Sequence, residues 1–128
     1  MESRYQDFKK EVSGFIPSGR IYTDRLRRFT WGTDAGFYRM TPQIVIITEN
    51  EDEVSRILKS ATRHSLPVTF RAAGTSLSGQ SISDSVLVVA GKNWDKWTIS
   101  SDAASIHGQR SLAGYSLWRC NSQTRLRD

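Results

Sequence analysis

Pro67-Val-Thr-Phe-Arg-Ala-Ala-Gly-Thr-Ser-Leu-Ser-Gly-Gln80 is a short apolar strand that runs directly into a loop of small residues. Few bulky side chains stand between this backbone and a ligand. Gly74 and Gly79 tolerate positive φ, so successive main-chain N–H groups can converge into an anion-binding nest. Thr75, Ser76 and Ser78 add hydroxyls around the same point. The loop is read as a cradle for phosphate oxygens.

Two familiar phosphate loops are excluded by individual residues. Gly74 to Ser81 follows the pattern G-x-x-x-x-G, but Gln80 stands where a nucleoside-triphosphate loop needs its Lys. Such a loop also opens a long helix. Here Ser81-Ile-Ser-Asp-Ser85 leads within a few residues into the apolar run Val86-Leu-Val-Val-Ala90. The dinucleotide fingerprint G-x-G-x-x-G occurs nowhere in the chain.

Working outward, Pro42 opens the run Ile44-Val-Ile-Ile47, which lacks polar alternation and predicts a strand buried on both faces. Asn50 is a helix cap with Glu53 in capping-box position, and Glu51, Asp52 and Glu53 place negative charge at the positive end of the helix dipole. Val54, Ile57, Leu58 and Ala61 fall at i, i+3, i+4 and i+7, one apolar face. Pro67 ends the connection and Val68-Thr-Phe-Arg71 forms the next strand. Strand, helix and strand make a βαβ unit with parallel strands, so the small-residue loop leaves the C-terminal end of a parallel strand, where α/β sheets bind ligands. Val86 to Ala90 adds a third strand. The fold class is therefore α+β, built on an α/β-like βαβ unit.

Residues 1–41 read as an N-terminal amphipathic helix, with Phe8, Val12 and Phe15 near helical spacing, followed by an extended, aromatic-rich lead-in. Residues 42–100 hold the βαβ unit and the loop. Residues 101–128 show no clear strand or helix period.

Composition bounds the class without naming the function. The chain has 128 residues and one cysteine, Cys120, so it forms no internal disulfide. With His64 and His107 as its two histidines, a structural zinc is not expected, and no metal ligand is assigned. The longest apolar runs are far shorter than the roughly 20 residues that span a bilayer. No apolar h-region follows Met1, and a cytoplasmic protein is expected, with a membrane-peripheral parent as the variant of that reading. The net charge of +5 lies in the N-terminal third and the tail. Arg20, Arg25, Arg27 and Arg28 beside Phe29 and Trp31 could form a nucleic-acid footprint. No recognised motif accompanies them, so a solvated surface facing an acidic neighbour is the preferred reading and no nucleic acid is expected.

Three pieces of the sequence resemble the FAD-linked oxidases. Thr33-Asp-Ala-Gly-Phe-Tyr-Arg-Met-Thr-Pro42 is similar to that family's D-A-S-x-Y-R-x-x-P segment. Pro42-Gln-Ile-Val-Ile-Ile47 and the helix after it follow in order. Arg71 to Gln80 is similar to the family's R-x-x-G-T-x-L-S-G-Q loop. The resemblance covers roughly residues 20 to 99. It is to the FAD-binding domain of the p-cresol methylhydroxylase and vanillyl-alcohol oxidase type, most of all to D-lactate dehydrogenase and glycolate oxidase flavoproteins.

The resemblance implies the incomplete N-terminal subdomain of such a domain, with FAD as cofactor. The main-chain N–H groups of Gly74, Thr75, Ser76, Ser78 and Gly79 would hold the pyrophosphate, with Gln80 bonding a phosphate or ribose. Arg71, Ala72, Ala73, Leu77 and Pro42 complete the cofactor-binding set. Arg71 either lends charge near the phosphates or flavin, or pairs a local carboxylate. Leu77 is expected to plug the loop into the core. Asp34 and Tyr38 either border the flavin pocket or serve the fold, Tyr38 then as core, and Arg39 is expected at the surface. Relatives with covalent flavin carry a His at the position of Thr75, so FAD is expected to be non-covalent here.

No catalytic residue is assigned. The resemblance places the groups that handle a small D-2-hydroxy acid, such as lactate or glycolate, in a C-terminal substrate domain that this chain lacks. The tail departs from the family pattern, which suggests a truncated gene product whose last twenty or so residues are out of register, as a frameshift would leave them. Uncovered apolar surface would then favour self-association. A stand-alone nucleotide or diphosphate module and an inactive structural fragment remain the competing readings.

Overall fold

The computed structural model describes residues 2–94 and 96–108. The chain divides into two compact units, Met1–Asn93 and Trp94–Asp128.

In the first unit, helix α1 (Ser3–Val12) leads through a 3-10 turn (Ser18–Arg20) to strand β1 (Ile21–Tyr22) and a short helix α2 (Arg25–Thr30). Strand β2 (Ile44–Thr48), helix α3 (Glu51–Arg63), strand β3 (Val68–Arg71) and strand β4 (Val86–Ala90) follow. The sheet order is β1-β2-β4-β3. β4 runs parallel to both β2 and β3, while β1 joins β2 antiparallel. The strands flanking α3 are thus parallel but not neighbours, because β4 lies between them. Composition explains the order. Val86-Leu-Val-Val is wholly apolar and buried at the centre, whereas Val68-Thr-Phe-Arg is mixed and lies at the edge.

α1 and α3 cover one face of the sheet. Tyr5, Phe8, Val12 and Ile16 pack there with Ile57, Ala61, Ile44, Ile46, Val86 and Val88. Residues 1–41 therefore share one core with the segment after them, and a boundary at residue 41 does not divide the packing. Phe8 is fully buried, and truncating such a side chain costs about 3–5 kcal/mol. On the other face Val45, Leu87 and Val89 meet Tyr22, Trp31 and Ile47. This double coverage is why β2 reads as an unbroken apolar run.

Asn50 caps α3 by accepting from the Glu53 N–H at 2.9 Å. The return half of the capping box is displaced by one residue: Glu53 accepts from the Glu49 N–H at 2.8 Å and forms a two-point ion pair with Arg20. The buried side of α3 is also rotated from the expected stripe. Leu58 is partly exposed, while Ser60 is fully buried with no hydrogen-bond partner for its hydroxyl among the described residues.

The lead-in is more ordered than an extended segment. Asp24 caps α2 through the Arg27 N–H at 3.0 Å, and Thr33 and Arg39 form an antiparallel bridge. Six residues are too few for a helical period to show.

In the second unit β5 (Trp97–Ile99) pairs antiparallel with β6 (Ile106–Gly108). The turn is closed by Ser100, whose hydroxyl accepts from the Ser105 N–H at 2.9 Å. The beginning of the tail is thus a hairpin strand, too short to register as a period. The rest of the tail, with the proposed loss of register and Cys120, lies outside the described residues. Among those described, no helix is long and apolar enough to cross a membrane.

Candidate cofactor site

The loop of residues 72–81 springs from the C-terminal end of β3. Gly74 and Gly79 adopt the left-handed conformation, with φ of +73° and +77°, which a side chain would strain. Ser76 braces the loop from inside. Its hydroxyl accepts from the N–H groups of Ser78 at 3.3 Å and Gln80 at 3.2 Å, and contacts the Gln80 side-chain carbonyl. Ser78 and Gln80 therefore spend their main-chain donors on the loop itself, and the exposed Gln80 side chain is held against Ser76. The N–H groups of Gly74, Thr75, Ser76, Leu77 and Gly79 have no acceptor among the described residues. The set differs from the expected one in losing Ser78 and gaining Leu77.

A second segment clasps the loop. The Ala35 N–H donates to the Gly74 carbonyl at 3.0 Å. Asp34 accepts from the Gly36 N–H at 2.8 Å and from the Ser81 hydroxyl at 3.3 Å, one carboxylate oxygen each. Gly36 lies so close to the Leu77 carbonyl that a Cβ would stand 2.8 Å from that oxygen. The two stretches that carry the family resemblance, far apart in sequence, are thus one structure.

Arg71 sits beneath this clasp. Its guanidinium donates to the Thr33 carbonyl at 2.6 Å and lies 5.2 Å from the centre of the Trp31 ring. Its Nε is buried without an acceptor. Burial lowers the Arg71 pKa, and the nearby charge of Asp34 opposes that shift. Among the described residues no carboxylate lies within ion-pair distance of it. The alternative in which Arg71 merely pairs a local acid is therefore not what the structure contains. A partly buried cation whose Nε has no acceptor, beside several free N–H groups, fits a dianionic diphosphate.

Two expectations are corrected and one alternative is excluded. Leu77 is 71% exposed and does not plug the loop into the core. Tyr38 is 52% exposed, stacked against Phe37 at 4.9 Å, so it is not a core residue either. Pro42 is fully buried at the N-terminal end of β2, with its carbonyl held by Arg28 at 2.6 Å. It starts the strand and presents no surface to a cofactor. Arg39 is exposed as expected and lies 4.1 Å over the Phe29 ring. Sequence reasoning gave no individual part in this site to Trp31, Thr33, Ala35 or Ser81. Thr33 and Ala35 act through main-chain atoms, which leave no side-chain signature. Ser81 could have been found from its place directly after the loop.

The family model for the FAD binding domain matches residues 42–118, well over half of the chain. The chain belongs to the FAD binding domain family. Its cofactor is FAD. The match spans β2, α3, β3, the loop and β4, and runs past residue 101, where the family register was expected to end. Among solved structures, p-cresol methylhydroxylase with substrate bound superposes with a TM-score of 0.74 at 8% identity, covering 98% of this chain and 26% of that one. The 4-ethylphenol oxidase of Gulosibacter chungangensis gives 0.73 at 14% identity, with 98% and 25% coverage. Alkyldihydroxyacetonephosphate synthase gives 0.63 at 15%, with 77% and 22% coverage. At such identities the likeness establishes the fold, which is that of the p-cresol methylhydroxylase-type FAD-binding domain. The chain spans about a quarter of the length of these structures. Comparison with curated proteins finds no match.

Proposed function

We propose that this FAD binding domain chain holds the FAD diphosphate on the loop of residues 71–80, non-covalently, as the N-terminal part of a flavin-dependent oxidoreductase. The observation that carries this reading is Arg71, a partly buried guanidinium whose Nε lacks an acceptor and which has no carboxylate within ion-pair distance among the described residues, packed behind a loop in which several N–H groups lack acceptors. Gly74, Thr75, Ser76, Leu77 and Gly79 would donate to phosphate oxygens. Ala72 and Ala73 keep the approach free of bulk. Ser76 and Asp34 hold the loop in shape before ligand arrives, which lowers the ordering cost of binding. FAD supplies hydride-accepting chemistry when bound.

The substrate of the whole enzyme is proposed to be a D-2-hydroxy acid of the lactate or glycolate class. The lead-in and loop sequences support that choice, and its binding groups would lie in a further domain. Apolar side chains left open around the loop, Phe37, Tyr38 and Leu77, favour self-association until that domain covers them.

The test is a titration of the chain with FAD, ADP and riboflavin, followed by flavin fluorescence and melting temperature. Saturable binding of FAD and ADP, with riboflavin much weaker, supports the diphosphate loop. A folded chain that binds none of them overturns it. Equal affinity for FAD and ADP would instead favour a nucleotide-binding module to which the flavin ring contributes nothing. Flavin bleaching by D-lactate, but not by a phenol, checks the substrate class in the longer enzyme.

A further inference from the structure

The helical layer carries a recess that the flavin site does not use. A cavity of about 290 Å³ lies beside the C-terminal end of α1 and α3, lined by Glu11, Gly14, Phe15, Arg56, Lys59 and Arg63. Arg56, Lys59 and Arg63 recur at i, i+3 and i+7 and so share one face of α3. α3 runs back against the strand direction, which places these residues toward the N-terminal ends of the strands, whereas the FAD loop leaves the C-terminal end of β3.

The charges of this recess do not balance. Glu11 is its one carboxylate, and it is engaged twice, by Arg63 and by His64 at 3.0 Å. Arg56 lies 3.9 Å over the Phe15 ring, which holds the guanidinium without neutralising it. Lys59 has neither an ion pair nor a hydrogen bond among the described residues. Lys59 and Arg63 are an i, i+4 pair of like charges, an arrangement that destabilises a helix and that a bound anion would relieve.

We propose that this groove is a second anion site and takes a small phosphomonoester dianion. Its volume lies just below the usual small-molecule range of about 300–1,000 Å³, too small for a dinucleotide. A tetrahedral phosphate can offer separate oxygens to Arg56, Lys59 and Arg63, where a carboxylate has only two. Phe15 and Gly14 supply an apolar wall for the esterified end.

Inorganic phosphate and glycerol 3-phosphate are titrated at pH 8 into the FAD-saturated chain, against sodium chloride at matched ionic strength, with amide NMR shifts as the readout. Saturable shifts at Gly14, Phe15, Arg56 and Lys59 are expected. Lys59→Gln should weaken binding about tenfold, the loss of one charge-assisted contact, and the double variant Arg56→Gln/Lys59→Gln by about a further tenfold, with unchanged FAD affinity. Shifts that grow linearly with salt of any kind, shifts confined to residues 74–80, or binding that survives both variants would overturn the proposal. If the chain takes no FAD, the same titration is run without it, so the two sites stand or fall separately.

Discussion

The guanidinium of Arg71 occupies the space that a side chain at Gly74 would need: a Cβ built on Gly74 would stand 2.5 Å from the Arg71 Cζ. Gly74 is therefore required twice, once for its positive φ and once for its lack of a side chain.

Gly74→Ala should lose about 2–3 kcal/mol of stability, from left-handed strain and from displacement of Arg71. Gly79→Ala meets its nearest neighbour, Tyr38, at an ordinary 3.6 Å and should lose only the conformational part, about 1 kcal/mol. Urea unfolding of both variants checks the difference. Flavin titration should show the larger affinity loss for Gly74→Ala.

Arg71→Met removes the bond to the Thr33 carbonyl and the partly buried charge behind the loop. FAD and ADP affinity should each fall about tenfold or more, the worth of one charge-assisted bond. Riboflavin binding should not change. An equal loss for all three ligands would show that Arg71 acts only on the fold.

Glu53 joins α3 to Arg20. Burial of the Glu53 carboxyl favours its neutral form, but the Arg20 hydrogen bond, the Glu49 N–H and the Arg20 charge outweigh burial and hold its pKa below the ordinary 4.5. The same hydrogen bond raises the Arg20 pKa. A depressed folded-state pKa stabilises the protein above the unfolded value, and that stability disappears as pH falls through the folded one. Glu53→Gln should cost about 1–2 kcal/mol at pH 7. In unfolding curves taken down to pH 3, the gap between variant and parent should narrow below pH of about 4.5.

Ser60 buries a hydroxyl with no partner. Ser60→Ala should raise stability by up to about 1 kcal/mol, since an unsatisfied buried polar group costs about 1–3 kcal/mol and Ala is the better helix former. A lowered melting temperature would show that the hydroxyl is satisfied in solution.

Thr75 offers no nucleophilic nitrogen or sulfur for attachment of a flavin ring. Acid precipitation of the FAD-loaded chain should release all yellow colour to the supernatant. Colour retained in the pellet after washing in denaturant would contradict a non-covalent cofactor.

Much of the framework was legible in one dimension. Unbroken apolar runs at residues 44–47 and 86–90 mark strands covered on both faces, and the Asn50 cap and its acidic first turn mark the start of α3. Local chemistry decides such features, so local sequence displays them. The positive φ at Gly74 and Gly79 belongs to the same class, because only the backbone of the residue itself is involved.

What the tertiary structure alone decided depends on groups that meet across long separations. The insertion of β4 between β2 and β3 follows from burying the most apolar strand at the centre. The burial of Ser60 and the exposure of Leu58 on α3 depend on what the folded chain packs around that helix. Above all, the bond from the Ala35 N–H to the Gly74 carbonyl uses groups that every residue carries, and the bond from Arg71 to the Thr33 carbonyl uses one on its accepting side. A sequence shows which side chains are available, but a main-chain hydrogen bond between distant segments becomes visible only when the fold brings them together.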